Sequence, residues 1–340
     1  MAEREGSVAE AVVGTGPAPM LSGSPVGERG SMAAEVWEGL SEAPRTLSSK
    51  YFYDTRGSEL FVEITGLAEY YPTRTERTLL ERRGQELLRH HAPRALLELG
   101  AGSAKKTRVL LDAMETRDGG GVYIPQDVSG EFLEETARRL RDEYPHLEVS
   151  PLVGDLTHPF EPDLEVPRPV MVALLGSTIG NFTDAQATEI LTNIQSFLQP
   201  GDRFLMGADL RPSAGKSVDE LEAAYNDARG VTAEFNRNIL ANLNRRLGTD
   251  FQPDRFQHQA FYHVEGARIE MHLVSQGPQT IRIPGQGIVE LENGESIRTE
   301  ISRKWDRPSV ERLFALGELE LLEWITDERE RYALAVGGPR

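Results

Sequence analysis

The apolar run Ala95-Leu96-Leu97-Glu98-Leu99 breaks at Gly100-Ala101-Gly102-Ser103, and apolar residues return at helical spacing at Val109, Leu110, Leu111 and Met114. This passage reads as a strand, a tight turn and a helix. Gly100 permits the sharp turn, and Gly102 leaves bare main chain against which a ligand can lie. The next apolar run, Val122-Tyr123-Ile124, leads to Asp127. That acid stands near the roughly 20-residue separation expected of a ribose-binding carboxylate in a βαβ nucleotide fold.

Three ligand classes compete for such a turn. A phosphate-binding loop needs glycine immediately before its lysine, where this chain has Lys105 before Lys106. A nicotinamide dinucleotide fold wants a third glycine near position 105, which is also missing. S-adenosylmethionine carries no phosphate, so close backbone approach and a ribose carboxylate are enough, and the Glu-x-Gly-x-Gly-Ser pattern suits it best. A plain βα turn that binds nothing remains open on these residues alone.

From 94 to 210 strand and helix alternate. Strands are expected at 95–99, 122–125, 148–153, 170–175 and 203–208, and helices at 104–116, 130–143 and 184–198. This rhythm predicts an α/β fold with a doubly wound parallel sheet, whose ligands sit beyond the carboxyl ends of the strands. Gly100, Gly102, Asp127, Asp155 and the stretch Gly176 to Phe182 all fall at such ends. A lone acid in that place can equally cap a helix or sit in a solvated turn.

Around this unit the pattern changes. Residues 1–33 are rich in Gly, Ala, Ser, Pro and Glu, and a flexible tail is expected there. Residues 34–92 read as amphipathic helical pieces, with Pro72 ending one and Thr75 capping the next. Tyr51, Tyr53, Tyr70 and Tyr71 crowd this segment and suggest an aromatic wall over the ligand, although each tyrosine can equally be packing with a wet hydroxyl. Ser217 to Leu247 reads as one long helix carrying Tyr225, Asn226 and Arg229. Extended segments follow at 260–264, 268–275, 280–283 and 287–291, as in an inserted β-containing subdomain. In Ile297 to Trp305, alternation puts Glu300 and Ser302 on one face, either holding a substrate ring or facing solvent. A closing hairpin is expected in Glu318 to Val336.

Charge and residue usage exclude several classes. With 37 basic and 54 acidic residues the formal charge is −17, which argues against nucleic acid and anionic membrane surfaces as partners. There are no cysteines, hence no disulfide, thiolate metal site or cysteine nucleophile. No apolar run reaches the roughly 18 residues of a membrane span, and no signal peptide is read at the N-terminus. His90-His91 and His258, His263 and His272 lack metal-ligand spacing, so no metal is expected. The Gly-x-Ser-x-Gly elbow of a hydrolase is absent from the sequence.

Several longer motifs resemble a known family. They are Tyr51-Phe52-Tyr53-Asp54 with Arg56-Gly57-Ser58, Glu69-Tyr70-Tyr71-Pro72-Thr73-Arg74, Glu98-Leu99-Gly100-Ala101-Gly102-Ser103 with Lys106-Thr107, Gly176-Ser177-Thr178-Ile179-Gly180-Asn181-Phe182, and Glu300-Ile301-Ser302. Together, and in this order, they resemble the L-histidine Nα-methyltransferases of ergothioneine biosynthesis, from residue 34 to the C-terminus. The resemblance implies S-adenosylmethionine as donor, three methylations of the histidine α-amino group, and hercynine as product. It implies a Rossmann-like methyltransferase domain, 74–213 with 304–340, and an inserted α+β substrate-binding domain, 34–73 with 214–303. By position, Tyr70, Gly100, Gly102, Lys106, Asp127 and Asp155 match donor-binding residues. Tyr53, Asn181, Tyr225, Glu300 and Ser302 match acceptor-binding residues, with Glu300 and Ser302 at the imidazole and Asn181 and Tyr225 at the carboxylate.

Methyl transfer to an amine is an in-line displacement that needs an unprotonated nitrogen and no metal. Tyr53 or solvent is expected to take the proton. A monomeric, cytoplasmic enzyme is expected. The other readings are an N-methyltransferase for another aromatic amino acid such as a tryptophan derivative, a non-catalytic Rossmann binding protein, and a nicotinamide oxidoreductase.

Overall fold

The computed structural model describes residues 28–116, 120–160 and 165–340. Helices α1 (Glu28–Ser41), α2 (Thr55–Thr65) and α3 (Tyr71–His91) come first. Alternation follows through β1 (Ala95–Leu99), α4 (Arg108–Glu115), β2 (Gly121–Asp127), α5 (Gly130–Glu143), β3 (Leu147–Val149), β4 (Leu152–Val153), β5 (Val170–Leu174), α6 (Asp184–Phe197) and β6 (Arg203–Asp209). Next come α7 (Val218–Ala223), α8 (Val231–Leu247), β7 (Phe256–His263), β8 (Arg268–Ser275), β9 (Gln279–Ile283), β10 (Gly287–Leu291) and β11 (Ser296–Arg303). The chain closes with α9 (Arg307–Leu316), β12 (Leu319–Thr326) and β13 (Tyr332–Pro339).

Strands β1 and β5 are buried at every position. A parallel sheet covered by helices on both faces demands such unbroken apolar runs. The main sheet runs β12-β13-β6-β5-β1-β2-β3, with β4 also pairing β2. β6, β5, β1, β2 and β3 are parallel, and β13 enters antiparallel to β6 with β12 as its hairpin partner. The chain winds outward from β1 to β3, then returns across β1 to β5. The connections leaving β1 and β5 therefore diverge, and a crevice opens at their carboxyl ends. The two sheet faces carry separate hydrophobic clusters, one around Leu97, Val172 and Phe204, the other around Leu96, Met171 and Leu205.

The structure corrects several expected boundaries. The 148–153 strand is two short ones, because Pro151 between them has no N–H for the ladder. The 104–116 helix starts only at Arg108, since Gly100, Gly102 and Ala104 hold positive φ values of 67°, 53° and 51°. Thr75 lies inside α3, which starts at Tyr71 with Pro72 in its first turn. The expected 217–247 helix breaks into α7 and α8. Gly230 turns left-handed at φ 75°, and the Asp227 carboxylate accepts from the Val231 and Thr232 N–H groups at 3.0 and 2.7 Å, starting a new helix. Of the flexible tail expected over 1–33, residues 1–27 lie outside the described residues, and 28–33 belong to α1, with Met32 and Ala33 buried.

Beside the main sheet stands a second packed body. Val36, Leu40, Phe52, Leu60 and Ile64 share one hydrophobic cluster with Phe235, Ile239, Leu243, Met271 and Ile297. Its β-structure is an antiparallel sheet in the order β11-β8-β7 and a β9-β10 hairpin. The asparagines of α8 fasten the N-terminal segment to it. Asn242 Nδ2 donates to the Tyr51 carbonyl at 2.7 Å, and Asn238 Nδ2 to Asp54 Oδ1 at 2.8 Å. Asp54 also caps α2 by accepting from the Gly57 N–H at 2.7 Å. Tyr53 is thereby clamped on both sides by its chain neighbours.

Candidate functional site

A cavity of about 1080 Å³ lies between the carboxyl ends of β1 and β5 and the second body. That is at the upper end for one small ligand and roomy enough for two. Tyr53, Tyr70, Gly100, Gly102, Lys106, Asp127, Asp155, Asn181, Tyr225, Glu300 and Ser302 all line it. The fold thus brings together in one space every residue matched to donor or acceptor binding, whereas Tyr71, Asn226 and Arg229 do not line it.

At one end lies the glycine turn. A side chain at Gly102 would meet nothing within 4 Å, so the backbone there is bare toward the cavity. Gly102 N–H donates to Asp127 Oδ2 at 2.9 Å and Ser129 N–H to Oδ1 at 3.0 Å. These bonds fix the carboxylate at the strand end, and each oxygen keeps a lone pair for a ligand hydroxyl. Burial nonetheless pushes the Asp127 carboxyl above its ordinary range. Beneath the turn the buried Glu98 carboxylate accepts from Thr107 at 2.7 Å and from the Tyr123 hydroxyl, and burial pushes it up to about 7. Lys106 is ion-paired at 2.7 Å with Glu76, which is wholly buried. Glu76 also accepts from the Gly176 N–H at 2.7 Å and the Tyr332 hydroxyl at 2.8 Å. One carboxylate of α3 therefore holds the lysine and the turn after β5 together. Asp155 is braced by the Thr157 N–H and hydroxyl at 3.0 and 2.7 Å, with Lys50 3.8 Å from its other oxygen.

At the other end the Glu300 side chain, on a residue paired with Met271 in the β11–β8 ladder, makes no hydrogen bond or ion pair with any described residue. Burial holds its carboxyl up at about 7, only partly opposed by the charge of Lys304. Tyr225 donates to Ser302 Oγ at 2.8 Å. Asn181 ends a single 3₁₀ turn, Thr178 to Asn181, that packs against β11. A Cβ at Gly180 would lie 2.8 Å from the Arg303 carbonyl oxygen, so glycine is what lets this turn reach β11, and Asn181 lines the cavity together with Glu300 and Ser302. Tyr53 packs edge-on to Phe61 and Phe235, with ring centroids 5.7 and 5.8 Å away, and Tyr70 packs edge-on to Tyr225 at 6.1 Å. Burial first, then the Glu300 charge, pushes the Tyr53 phenol well above its usual range, so it stays neutral.

A buried charge cluster behind this end was not singled out from the sequence. Asp209, at the end of β6, accepts from Tyr71 at 2.8 Å and pairs with Lys216 at 2.6 Å and Lys304 at 2.8 Å. All three charged groups are almost wholly buried. Burial raises the Asp209 carboxyl, but the two ammonium groups outweigh it and hold it below its ordinary range. Two sequence signals point here: Asp209 is one more strand-end acid, and Lys304 continues the alternation of Glu300 and Ser302. Among the described residues His90, His91 and Glu323 bring ligand atoms within 4.8 Å of one another, outside the cavity. Both ring nitrogens of His91 are already engaged, with Arg203 at 3.2 Å and Glu323 at 2.8 Å.

The chain chemically offers a bare-backbone cradle with a carboxylate at one end and a polar, aromatic pocket at the other. Residues 32–337 match the family described as histidine-specific methyltransferase, SAM-dependent. The chain is 40% identical over 310 residues to a protein named histidine N-alpha-methyltransferase from Mycobacterium tuberculosis, covering 90% of this chain and 94% of the relative. It is 39% identical over 307 residues to a protein of the same name from Mycolicibacterium smegmatis, covering 90% and 94%. It is also 32% identical over 294 residues to ergothioneine biosynthesis protein 1 of Neurospora crassa, covering 83% of this chain but 32% of that longer protein.

Proposed function

The chain belongs to the SAM-dependent, histidine-specific methyltransferase family, and from that premise we propose that it transfers three methyl groups to the α-amino nitrogen of L-histidine, giving Nα,Nα,Nα-trimethyl-L-histidine, hercynine, in ergothioneine biosynthesis. The observation that carries this reading is the two-ended cavity, in which a donor cradle and an acceptor pocket share one space. Residues 74–213 with 304–340 serve as the donor domain, and 34–73 with 214–303 as the acceptor-binding part.

The open face of Gly102 and the fixed Asp127 carboxylate fit a ribose lying against main chain. Gly100, Tyr70, Lys106 and Asp155 complete that end. Bound there, S-adenosylmethionine supplies an electrophilic methyl group on a sulfonium. Glu300 and Ser302 take the two imidazole nitrogens, and Asn181 and Tyr225 border the carboxylate. Placement of the amine against the methyl is worth on the order of 7–11 kcal/mol of barrier.

Each transfer releases one proton, three in all from the starting ammonium. In the first two transfers Tyr53, held neutral by burial, accepts a hydrogen bond from the amine N–H and turns the nitrogen lone pair toward the donor; the tertiary amine of the third has no N–H to give. The proton itself passes to water. Tyrosine faces suit the sulfonium at the start and the quaternary ammonium at the end. Donor and acceptor groups all come from one chain, which supports a monomer. Among the described residues no helix is long and apolar enough to cross a membrane. We propose a cytoplasmic enzyme.

Mass spectrometry of L-histidine after incubation with the protein and S-adenosylmethionine tests the reading. A gain of three methyl groups is expected, with L-tryptophan unchanged under the same conditions. Donor binding with no gain on histidine would send the activity to another amine.

A further inference from the structure

Lys304 follows β11 at the alternate position after Glu300 and Ser302 and is completely buried. Its ammonium carries three hydrogens. One meets Asp209 Oδ2 at 2.8 Å, one the Tyr225 hydroxyl oxygen at 3.0 Å and one Ser302 Oγ at 2.9 Å. Each hydroxyl oxygen thus gives up one lone pair to the lysine. The two oxygens are themselves 2.8 Å apart, so one hydrogen must lie between them. Two would collide, and none would set lone pair against lone pair. The pair is left with a single hydrogen to offer the cavity.

A phenol is more acidic than an alkyl hydroxyl, so Tyr225 is the donor of the shared hydrogen and Ser302 the acceptor. Ser302 Oγ then accepts from both Lys304 and Tyr225, and its own hydrogen turns outward beside Glu300. We infer that Lys304 is a positioning residue that fixes the polarity of the acceptor pocket, so that the imidazole binds only when neutral, donating to Glu300 and accepting from Ser302. An imidazolium carries N–H at both nitrogens and would set one of them against the Ser302 hydrogen. The Tyr225 hydrogen is spent on Ser302, so the substrate carboxylate falls to Asn181, whose side chain bonds no other described residue. This inference rests on the histidine reading above.

The groups facing this pocket are few. Asp209 comes from β6, Lys216 from the segment before α7, Tyr70 and Tyr71 from the start of α3, Tyr225 from the segment after α7 and Glu300 from β11. Tyr53 comes from the segment before α2. Glu300, held up at about 7 by burial, and Lys216, whose ammonium burial pushes down to about 8, titrate near neutral pH, and their effect is common to every acceptor that binds the same way.

The test compares L-histidine with β-(1,2,4-triazol-3-yl)-L-alanine, whose ring stays unprotonated across the range. Both are titrated calorimetrically into the full-length protein saturated with S-adenosylhomocysteine, from pH 7.5 to 5.5. The ratio of the two Kd values cancels the contributions of Glu300, Lys216 and the α-amino group. A free imidazole pKa near 6.5 makes that ratio rise about tenfold in favour of the triazole over this range. A flat ratio overturns the inference while leaving the histidine reading intact, and no histidine binding at any pH overturns both. Lys304→Met should weaken histidine binding at pH 7.5, flatten the ratio and leave the S-adenosylhomocysteine Kd unchanged. A Lys304→Met protein that keeps the tenfold rise refutes the role of Lys304. Should that variant fail to fold, Ser302→Ala, which keeps Lys304 and Asp209 paired, decides in its place: a flattened ratio supports the inference and a retained rise overturns it.

Discussion

Glu300→Gln should make the empty protein more stable and a worse histidine binder. Burial holds the Glu300 carboxyl at about 7, against about 4.3 for a free glutamate. The folded-state value is raised, so the unfolded chain loses this proton first as pH climbs. The resulting cost to the fold is absent below about pH 4.3, grows between there and about 7, and is complete above. At 1.36 kcal/mol per unit the full cost is about 3–4 kcal/mol, which water in the cavity lowers to about 1–3 kcal/mol. Unfolding entropy of about 2.1 cal/mol/K per residue over 340 residues converts this to a Tm gain of about 1.5–4 °C at pH 8. The gain should shrink to about a third to two thirds of that at pH 5. Glutamine keeps a carbonyl acceptor but loses the charge, so the bond to the imidazole weakens by about 1–1.5 kcal/mol, or about 5–12-fold in Kd. Thermal melts at both pH values and calorimetric titration with histidine read the two effects. A variant with unchanged Tm at pH 8, or with unchanged histidine affinity, would refute the placement of an ionisable Glu300 against the ring.

Asp127→Asn should weaken donor binding about 10–100-fold by calorimetry, because the amide loses the charge and leaves either the Gly102 or the Ser129 N–H without its acceptor. Gly180→Ala forces its Cβ against the Arg303 backbone. It should cost about 1–3 kcal/mol of stability and raise the histidine KM while the donor Kd holds. Tyr53→Phe keeps the ring contacts to Phe61 and Phe235 and removes one neutral hydrogen bond. Single-turnover rates of the first two methylations should fall about 5–12-fold, and unchanged rates at both would remove Tyr53 from the reaction.

The donor half of the cavity was legible because its parts are local in sequence. Gly100, Gly102 and Asp127 belong to one βαβ unit, and strand, turn and carboxylate follow one another at fixed spacing. The acceptor half draws on Tyr53, Asn181, Tyr225 and Glu300, separated along the chain by 128, 44 and 75 residues. Pattern alone left Glu300 and Ser302 balanced between substrate and solvent, and the motif resemblance was needed to bring these segments together. The buried partners escaped altogether. Glu76 sits in α3 with nothing in its surroundings to distinguish it from the exposed acids of that helix. Nothing in the sequence marks Lys216 or Lys304 as buried, because a buried ammonium is credible only once Asp209 is known to lie beside it. Where element boundaries shifted, a left-handed glycine, a missing N–H at proline or a capping aspartate decided the matter, as at Gly230, Pro151 and Asp227.

The central claim is that one cavity holds donor and acceptor end to end. A crystal structure of the protein with S-adenosylhomocysteine and L-histidine tests it most directly. The account predicts the ribose on Asp127 above Gly102, the imidazole between Glu300 and Ser302, the carboxylate at Asn181, and the amine under Tyr53 facing the donor sulfur. Histidine bound elsewhere, or with its ring turned toward Asp127, would contradict it.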